Sequence, residues 1–301
     1  MRCLPLIATA LVAFSPAALA AQDLLDMVPA DSEVVISLDV ADLLATPLAQ
    51  ELWAKHIEST EAGAGLRMVT RLTGMDVRTD IAQIVIATQV DAEATEVVLA
   101  RATFDEQALL DLVMMNETYG KVEADGRTIH RWMDNGKQKH GAFLPGGVVV
   151  ITNDAARMRQ ALDAADQKRD SFADSRGASA LPDALAWMHI EAPARSGVEL
   201  GEGMRILQAK SMTTTLELGA SSMEIATTLV PTSPSLGEDY AAMLSGIVAL
   251  GRVQLADPRG ARGPEATTVG QPDASGAVTT RTKMDNAAVK SLIDEAIAAG
   301  K

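Results

Sequence analysis

Short β-branched runs alternate along this chain with longer stretches whose apolar residues recur three and four apart, the rhythm of mixed strands and helices. Residues 32–40, with Val34, Val35, Ile36 and Leu38, read as a buried strand. Thr46-Pro47 opens a helix: Thr caps the first free N–H groups, and Pro takes a position whose N–H has no helical partner anyway. Leu48, Leu52, Trp53 and Ile57 then share one face. A second helix is expected over 62–72, stopped by Gly74. Residues 81–89 and 95–103 make a hairpin joined by the polar Asp91-Ala92-Glu93-Ala94. Thr103-Phe104-Asp105-Glu106 has the spacing of a capping box, with Thr103 as cap, and starts a helix running to about Met115. Asp125-Gly126, Asn135-Gly136 and Pro145-Gly146-Gly147 are turns between short strands, the last at 148–152. A helix over 154–165 carries Met158, Ala161, Leu162 and Ala165 on one side, and the polar stretch 166–179 reads as a linker.

The same order then begins again. Residues 184–190 form a strand, 210–218 and 221–230 a hairpin around Gly219-Ala220, and Ser235-Leu236-Gly237-Glu238 repeats the capping spacing before a helix over 239–250. Strands near 252–255 and 276–284 and a helix over 285–298 complete the pattern. The two closing helices superpose at a shift of 131 residues, placing Asp154 on Asp285, Met158 on Val289 and Leu162 on Ile293, while the opening strands need a shift near 150. The second half has no counterpart to the helical region 47–72. The expected fold is therefore α+β, two related halves at 21–170 and 171–301, each a mostly antiparallel sheet packed on one face by helices. Trp53 and Trp187 are expected in the two cores, and the Gly-, Pro- and Asp-rich stretch 257–275 is expected to be a flexible loop.

The N-terminus changes the picture of where this fold works. Arg2, a short apolar run over 4–14, and Ala18-Leu19-Ala20 before Ala21-Gln22 read as a signal peptide, residues 1–20, cleaved after Ala20. The expectation is a periplasmic or secreted protein with no stable membrane insertion after cleavage. The single cysteine, Cys3, lies in that leader, so the mature chain has no thiol for a disulfide, a nucleophile or a metal. A formal net charge of −14, without a basic cluster denser than Lys137-Gln138-Lys139, repels phosphate backbones and argues against nucleic acid as a partner. Aromatic residues make up only 3%, too few for stacking platforms.

Three segments carry a resemblance. Val28-Pro29-Ala30-Asp31-Ser32-Glu33-Val34-Val35, Thr73-Gly74-Met75-Asp76 leading to Asp80-Ile81, and the strand and Ala-rich helix over 148–165 resemble a loose group of exported bacterial proteins of unknown function. The resemblance implies an exported α+β protein and brings no catalytic residues with it.

The sequence carries no assigned site: no residue is designated catalytic, cofactor-binding or metal-binding, and no cofactor is expected. The four histidines, His56, His130, His140 and His189, form no His-Glu-x-x-His run. His189 and Glu191 alternate on one strand face and could orient a metal or a general base, but an exposed strand shows that alternation by default. His130 and Trp132, opposite Arg131, read as a half-buried sheet edge. No Gly-x-Ser-x-Gly elbow occurs, Ser245-Gly246 sits in a helical pattern, and no phosphate-cradling glycine motif follows a strand. The carboxylate pairs Asp39/Asp42 and Asp163/Asp166 read as caps and solvated faces, and Glu123-Ala124-Asp125-Gly126 as a plain turn rather than a calcium loop. Among fourteen methionines, Met114, Met115, Met188, Met204, Met212 and Met223 could line an adaptable groove for a lipid-like ligand or peptide, could bind copper(I), or could simply fill cores, the ordinary use of scattered methionines. The leading function is an exported, non-catalytic binding or scaffold protein of the cell envelope, with an unknown protein or apolar ligand as partner; the alternative is a periplasmic hydrolase with a dispersed active site.

Overall fold

The computed structural model describes residues 23–58, 60–89, 95–176, 182–191, 209–255 and 266–299. The expected signal peptide, the Asp91–Ala94 connection and Met204 lie outside them. The first part comprises β1 (Val34–Asp39), α1 (Val40–Ala45), α2 (Pro47–His56), α3 (Glu61–Thr73), β2 (Ile81–Thr88), β3 (Glu96–Ala102) and α4 (Glu106–Met114). β4 (Gly120–Ala124), β5 (Arg127–Asp134), β6 (Lys137–Leu144), β7 (Val148–Thr152), α5 (Ala155–Ala165) and α6 (Phe172–Arg176) follow. The remainder comprises β8 (Ala186–Glu191), β9 (Ala209–Leu218), β10 (Ser222–Pro231), α7 (Gly237–Leu255), β11 (Ala266–Val269), β12 (Val278–Asp285) and α8 (Asn286–Ala299).

The local signals act as expected in most places. Thr46 Oγ1 accepts from Ala49 N at 3.3 Å, with Pro47 first in α2, and Gly74 ends α3 at φ +74°. Asp125-Gly126 and Asn135-Gly136 have positive φ at both residues, as two-residue hairpin turns require. Gly147 is obligatory: φ is +71°, and a Cβ there would stand 2.4 Å from Ala102 O. The start of α4 differs. Asp105, not Thr103, is its cap, and its carboxylate accepts from Gln107 N at 2.9 Å and Ala108 N at 3.2 Å. Ser235 caps nothing either; it lies in a 3-10 turn, Pro234–Leu236, that runs directly into α7.

All the strands among the described residues lie in one antiparallel sheet of twelve, in the order β11-β12-β10-β9-β8-β1-β2-β3-β7-β6-β5-β4. The sheets of the two halves are thus fused edge to edge through β1 and β8. Outward from that seam the order reads β1-β2-β3-β7-β6 on one side and β8-β9-β10-β12-β11 on the other. Registered partners in antiparallel strands point to the same side and neighbours along a strand to opposite sides, so the sheet has two definable faces. Face one carries Val35, Val85, Val97, Leu99, Val150 and Trp187; face two carries Ile36, Ile86, Val98, Ile151, Met188 and Met212.

The main helical cover of each half lies on a different face, although α2 of the first half joins the cover of the second. In the first half, Met158, Ala161 and Leu162 of α5, Phe172 of α6 and the 3-10 turn Leu24–Met27 bury face one. In the second half, face two is covered by two groups. Tyr240 and Leu244 of α7 pack on Met212, Leu229 and Val278, and Leu48 of α2 with Val289 of α8 packs on Met223 and Met284. Face one of the second half carries Thr213, Thr215, Glu217, Glu224, Thr228, Arg281 and Lys283, with no helix in either core cluster upon it. Apolar side chains close a face; these polar ones leave it to water.

Four expectations are corrected. Residues 171–176 are not linker: Phe172 is fully buried in the main core, its N–H donates to Val28 O at 2.8 Å, and Ser171 bridges to Pro29. Residues 252–255 are not a strand but the last turn of α7, whose apolar pattern continues past 250. Within 257–275, residues 266–269 form the edge strand β11, and Asp273 Oδ1 accepts from Ser275 N and Ala277 N to hold the following turn. Residues 257–265 lie outside the described ones. Trp187 is buried as expected, but Trp53 lines a surface groove.

Candidate functional site: a half-open apolar sheet face

Along the middle of β1, β2 and β3 and throughout β7, alternate residues are buried and the residues between are not. Val35, Val85, Val97 and Val150 on face one are each fully buried. Their neighbours Ile86, Val98 and Ile151 on face two are only half-buried, and Ile36 is 38% exposed. The register places these side chains in one row across the sheet: Thr280, Thr227, Thr214, Met188, Ile36, Ile86, Val98 and Ile151. At the threonine end the row runs between the α7 cluster and the α2–α8 cluster, and Thr214 and Thr227 hydroxyls satisfy each other at 3.0 Å. From Met188 onward it is wholly apolar.

α4 is tied to this face at both ends. Phe104, just before it, packs on Phe143 of face two with ring centroids 5.6 Å apart. Tyr119, just after it, donates to or accepts from His130 Nδ1 at 2.9 Å. Between those anchors lie Leu109, Leu110, Leu112 and Val113, yet α4 has no buried residue. Met114 and Met115 are exposed, as are Met68 and Leu72 of α3, which contacts α4. α4 is thus anchored at both ends while its apolar side chains between them stay only partly covered.

The histidines do not converge. His130 lies on face two, where burial holds its pKa below the ordinary 6.5; Lys121 adds to this and Glu106 opposes it. His140 lies on face one, lowered by burial and by Arg131. His189, also on face one, has Nδ1 2.9 Å from Thr213 Oγ1 and Nε2 3.3 Å from Glu191 Oε2, with its ring edge-on to Phe172. His56 meets Asp294 of α8 at 2.8 Å, and with Lys55 it holds that carboxyl below its usual range; Lys55 is the larger cause. Imidazoles thus meet hydroxyls and carboxylates, but none lines the cavities described below.

The other singled-out residues have structural work. Asp39 caps α1 by accepting from Asp42 N; Asp166 pairs with Arg127 and Lys168, which lower its pKa; Ser245 bonds back to Ala241 O within α7. Met212 and Met223 are buried, Met188 lies in the row on face two, and Met114 and Met115 are exposed. Among the described residues no group of three or more His, Cys, Asp or Glu could hold a metal ion. None of their helices is long and apolar enough to cross a membrane.

The structure adds a groove around Trp53, a residue whose sequence pattern places it in a core. Two adjoining hollows of about 430 and 620 Å³ share Trp53, Glu58 and Arg78. Arg78 is paired across it, with Asp76 at 2.8 Å and Glu58 at 3.4 Å, and Arg67 donates to Glu58 O at 2.6 Å. Arg78 is thus already ion-paired, and the groove offers a flat indole beside a polar rim of mixed charge. The signal that could have found it is the helix pattern itself: Leu48 and Leu52 suffice to bind α2 to the core cluster, leaving Trp53 on the flank.

No family model matches the chain, and a search of curated proteins finds no match. Solved structures do match. A crystal form of TP0453, form III, aligns over 92% of this chain and 99% of its own, with a TM-score of 0.56 and 9% identity. Form I gives 0.54 over 92% and 98% at 9% identity, and form IV 0.52 over 89% and 95% at 8%. At such identities the likeness is one of fold: this chain is similar to TP0453 in its α+β architecture over about nine-tenths of its length.

Proposed function

We propose that this protein is exported and serves in the cell envelope as a non-catalytic binding protein, holding an apolar ligand, or an apolar segment of a partner protein, against face two. One observation carries the reading: Ile36, Ile86, Val98 and Ile151 remain half-open in strands whose other face is closed. Covering such surface is favourable by roughly 25 cal/mol per Å², and a folded chain ordinarily covers it with its own helices. Here the neighbouring α4 buries none of its residues, and Met114, Met115 and Met68 beside it can repack around a guest because thioethers are flexible and polarisable. The leader sequence supports the location, and the acidic surface keeps a protein with exposed apolar groups soluble.

Native mass spectrometry of the protein purified from its own envelope, followed by solvent extraction, tests this. The expected result is a co-purifying apolar molecule or partner that is lost or markedly reduced in Ile36→Gln/Ile86→Thr, two changes on the open face. If nothing accompanies the wild type and an environment-sensitive apolar dye binds wild type and variant equally, the proposal fails. Turnover on a broad hydrolase panel, lost in His189→Ala, would replace it with the enzymatic alternative.

A further inference from the structure

The sheet ends at β4, and the outer side of β4 makes no backbone hydrogen bond to any described residue. An edge of this kind is a template for another strand. Which strand it accepts is written in its sequence, Gly120-Lys121-Val122-Glu123-Ala124. All three central residues are exposed, Val122 by 38%.

The hairpin decides which backbone groups face outward. Ala124 and Arg127 flank the two-residue turn and pair directly, as do Val122 with Ile129 and Gly120 with Arg131. In a two-residue hairpin the flanking pair exchanges both its hydrogen bonds, and such pairs then alternate along the ladder. The N–H and C=O groups of Ala124, Val122 and Gly120 therefore point inward to β5, and those of Lys121 and Glu123 point out.

We infer that β4 pairs antiparallel with β4 of a second copy of this chain, about a two-fold axis at Val122, so that Lys121 of each copy stands opposite Glu123 of the other. Backbone complementarity requires outward residues to face outward residues, which leaves three registers. Pairing centred on Lys121 sets lysine against lysine, and pairing centred on Glu123 sets glutamate against glutamate; like charges directly opposite destabilise a sheet. Only the register centred on Val122 sets both charge pairs in opposition. It also makes Lys121–Glu123 the hydrogen-bonded pairs, and it brings the two Val122 residues together at a non-hydrogen-bonded position, where Cα atoms approach to about 4.5 Å and side chains touch. Glu123 is already oriented by Thr128 Oγ1 at 2.8 Å, on the same side as Lys121. The remaining neighbours, Gly120 and Ala124, are small and face each other without steric cost.

A five-residue edge buries less surface than a standard interface, so the dimer forms at high concentration and weakens with salt. Sedimentation velocity over a wide concentration range tests it. The wild type is expected to shift from monomer to dimer. Lys121→Glu and Glu123→Lys are each expected to raise the dissociation constant at least tenfold, and the double exchange Lys121→Glu/Glu123→Lys to restore it, because the opposition of charges returns. Val122→Cys, in a Cys3→Ser background, is expected to cross-link to itself under copper–phenanthroline oxidation while Glu123→Cys does not, and circular dichroism checks that each variant folds. A wild type that stays monomeric at millimolar concentration, single charge reversals without effect, or a double exchange that fails to recover the dimer would overturn the inference. Since β4 lies at the far end of the sheet from the seam, loss of this dimer leaves ligand retention on face two intact, and the two readings fail separately.

Discussion

Ile36 of β1 stands directly opposite Met188 of β8, at the seam where the sheets of the first and second halves become one. Val34 pairs with Ile190 and Leu38 with Ala186 on either side, so the register is symmetric about this pair. A continuous ladder transmits strain from one half to the other, and the halves are expected to unfold together. Urea denaturation followed by tryptophan fluorescence and by circular dichroism should give coincident single transitions. Ser37→Pro, which places a proline in a central strand of the seam, is expected to destabilise the whole protein by about 3 kcal/mol or more. Two separated transitions in the wild type would count against a shared cooperative unit.

Phe172 supplies a second test. It is fully buried among Leu24, Val28 and Met158, in a segment whose composition suggests a linker. Phe172→Ala should cost about 3–5 kcal/mol, the range for emptying a large aromatic site. A linker residue would show almost no loss in the same denaturation measurement.

Acid sensitivity follows from His130 and His140. Burial keeps both below the ordinary 6.5, so the unfolded chain takes up protons in mildly acidic solution that the folded chain refuses. Their contribution to stability is therefore fully present above about pH 6.5 and lost as pH falls through the lower folded values. Midpoints of thermal unfolding should decline through the mildly acidic range, and His130→Gln/His140→Gln should flatten that decline. An unchanged slope in the double variant would assign the acid limb to other groups.

Gly141 is a steric probe of face two. A Cβ there would lie 3.0 and 3.1 Å from the Trp132 ring, close enough to displace it. Gly141→Ala is expected to shift tryptophan emission and to destabilise the protein by about 1–3 kcal/mol, as overpacking does. An unaltered emission maximum would mean that the ring has room to yield.

Much of the fold was legible because its signals are local. The Thr46-Pro47 start, the Gly74 stop and the Asp125-Gly126 and Asn135-Gly136 turns each act within a few residues, and the structure has them all. Capping at Thr103 misled because Asp105, two residues on, offers a charged acceptor to two N–H groups at once. Residues 171–176 misled because one phenylalanine outweighs a polar neighbourhood once a core is there to receive it. The candidate site was the least legible part. His130, His140 and His189 could be named from the sequence, yet they lie in separate surroundings, whereas the open row exists only when strands distant in the chain come into register.

The amino-acid order by itself determined the α+β alternation, the hairpin turns and the pairing of neighbouring strands, since propensity, caps and turn geometry are properties of short segments. Tertiary structure alone decided which face each helix covers. The 131-residue shift that aligns α5 with α8 also lays Thr279 and Arg281 on Val148 and Val150. Face one is apolar in the first half and polar in the second, so α5 settles on face one while α8 joins α2 on Met223 and Met284 of face two. Whether a side chain points toward oil or water depends on strand register, and register is a contact between residues far apart in the chain.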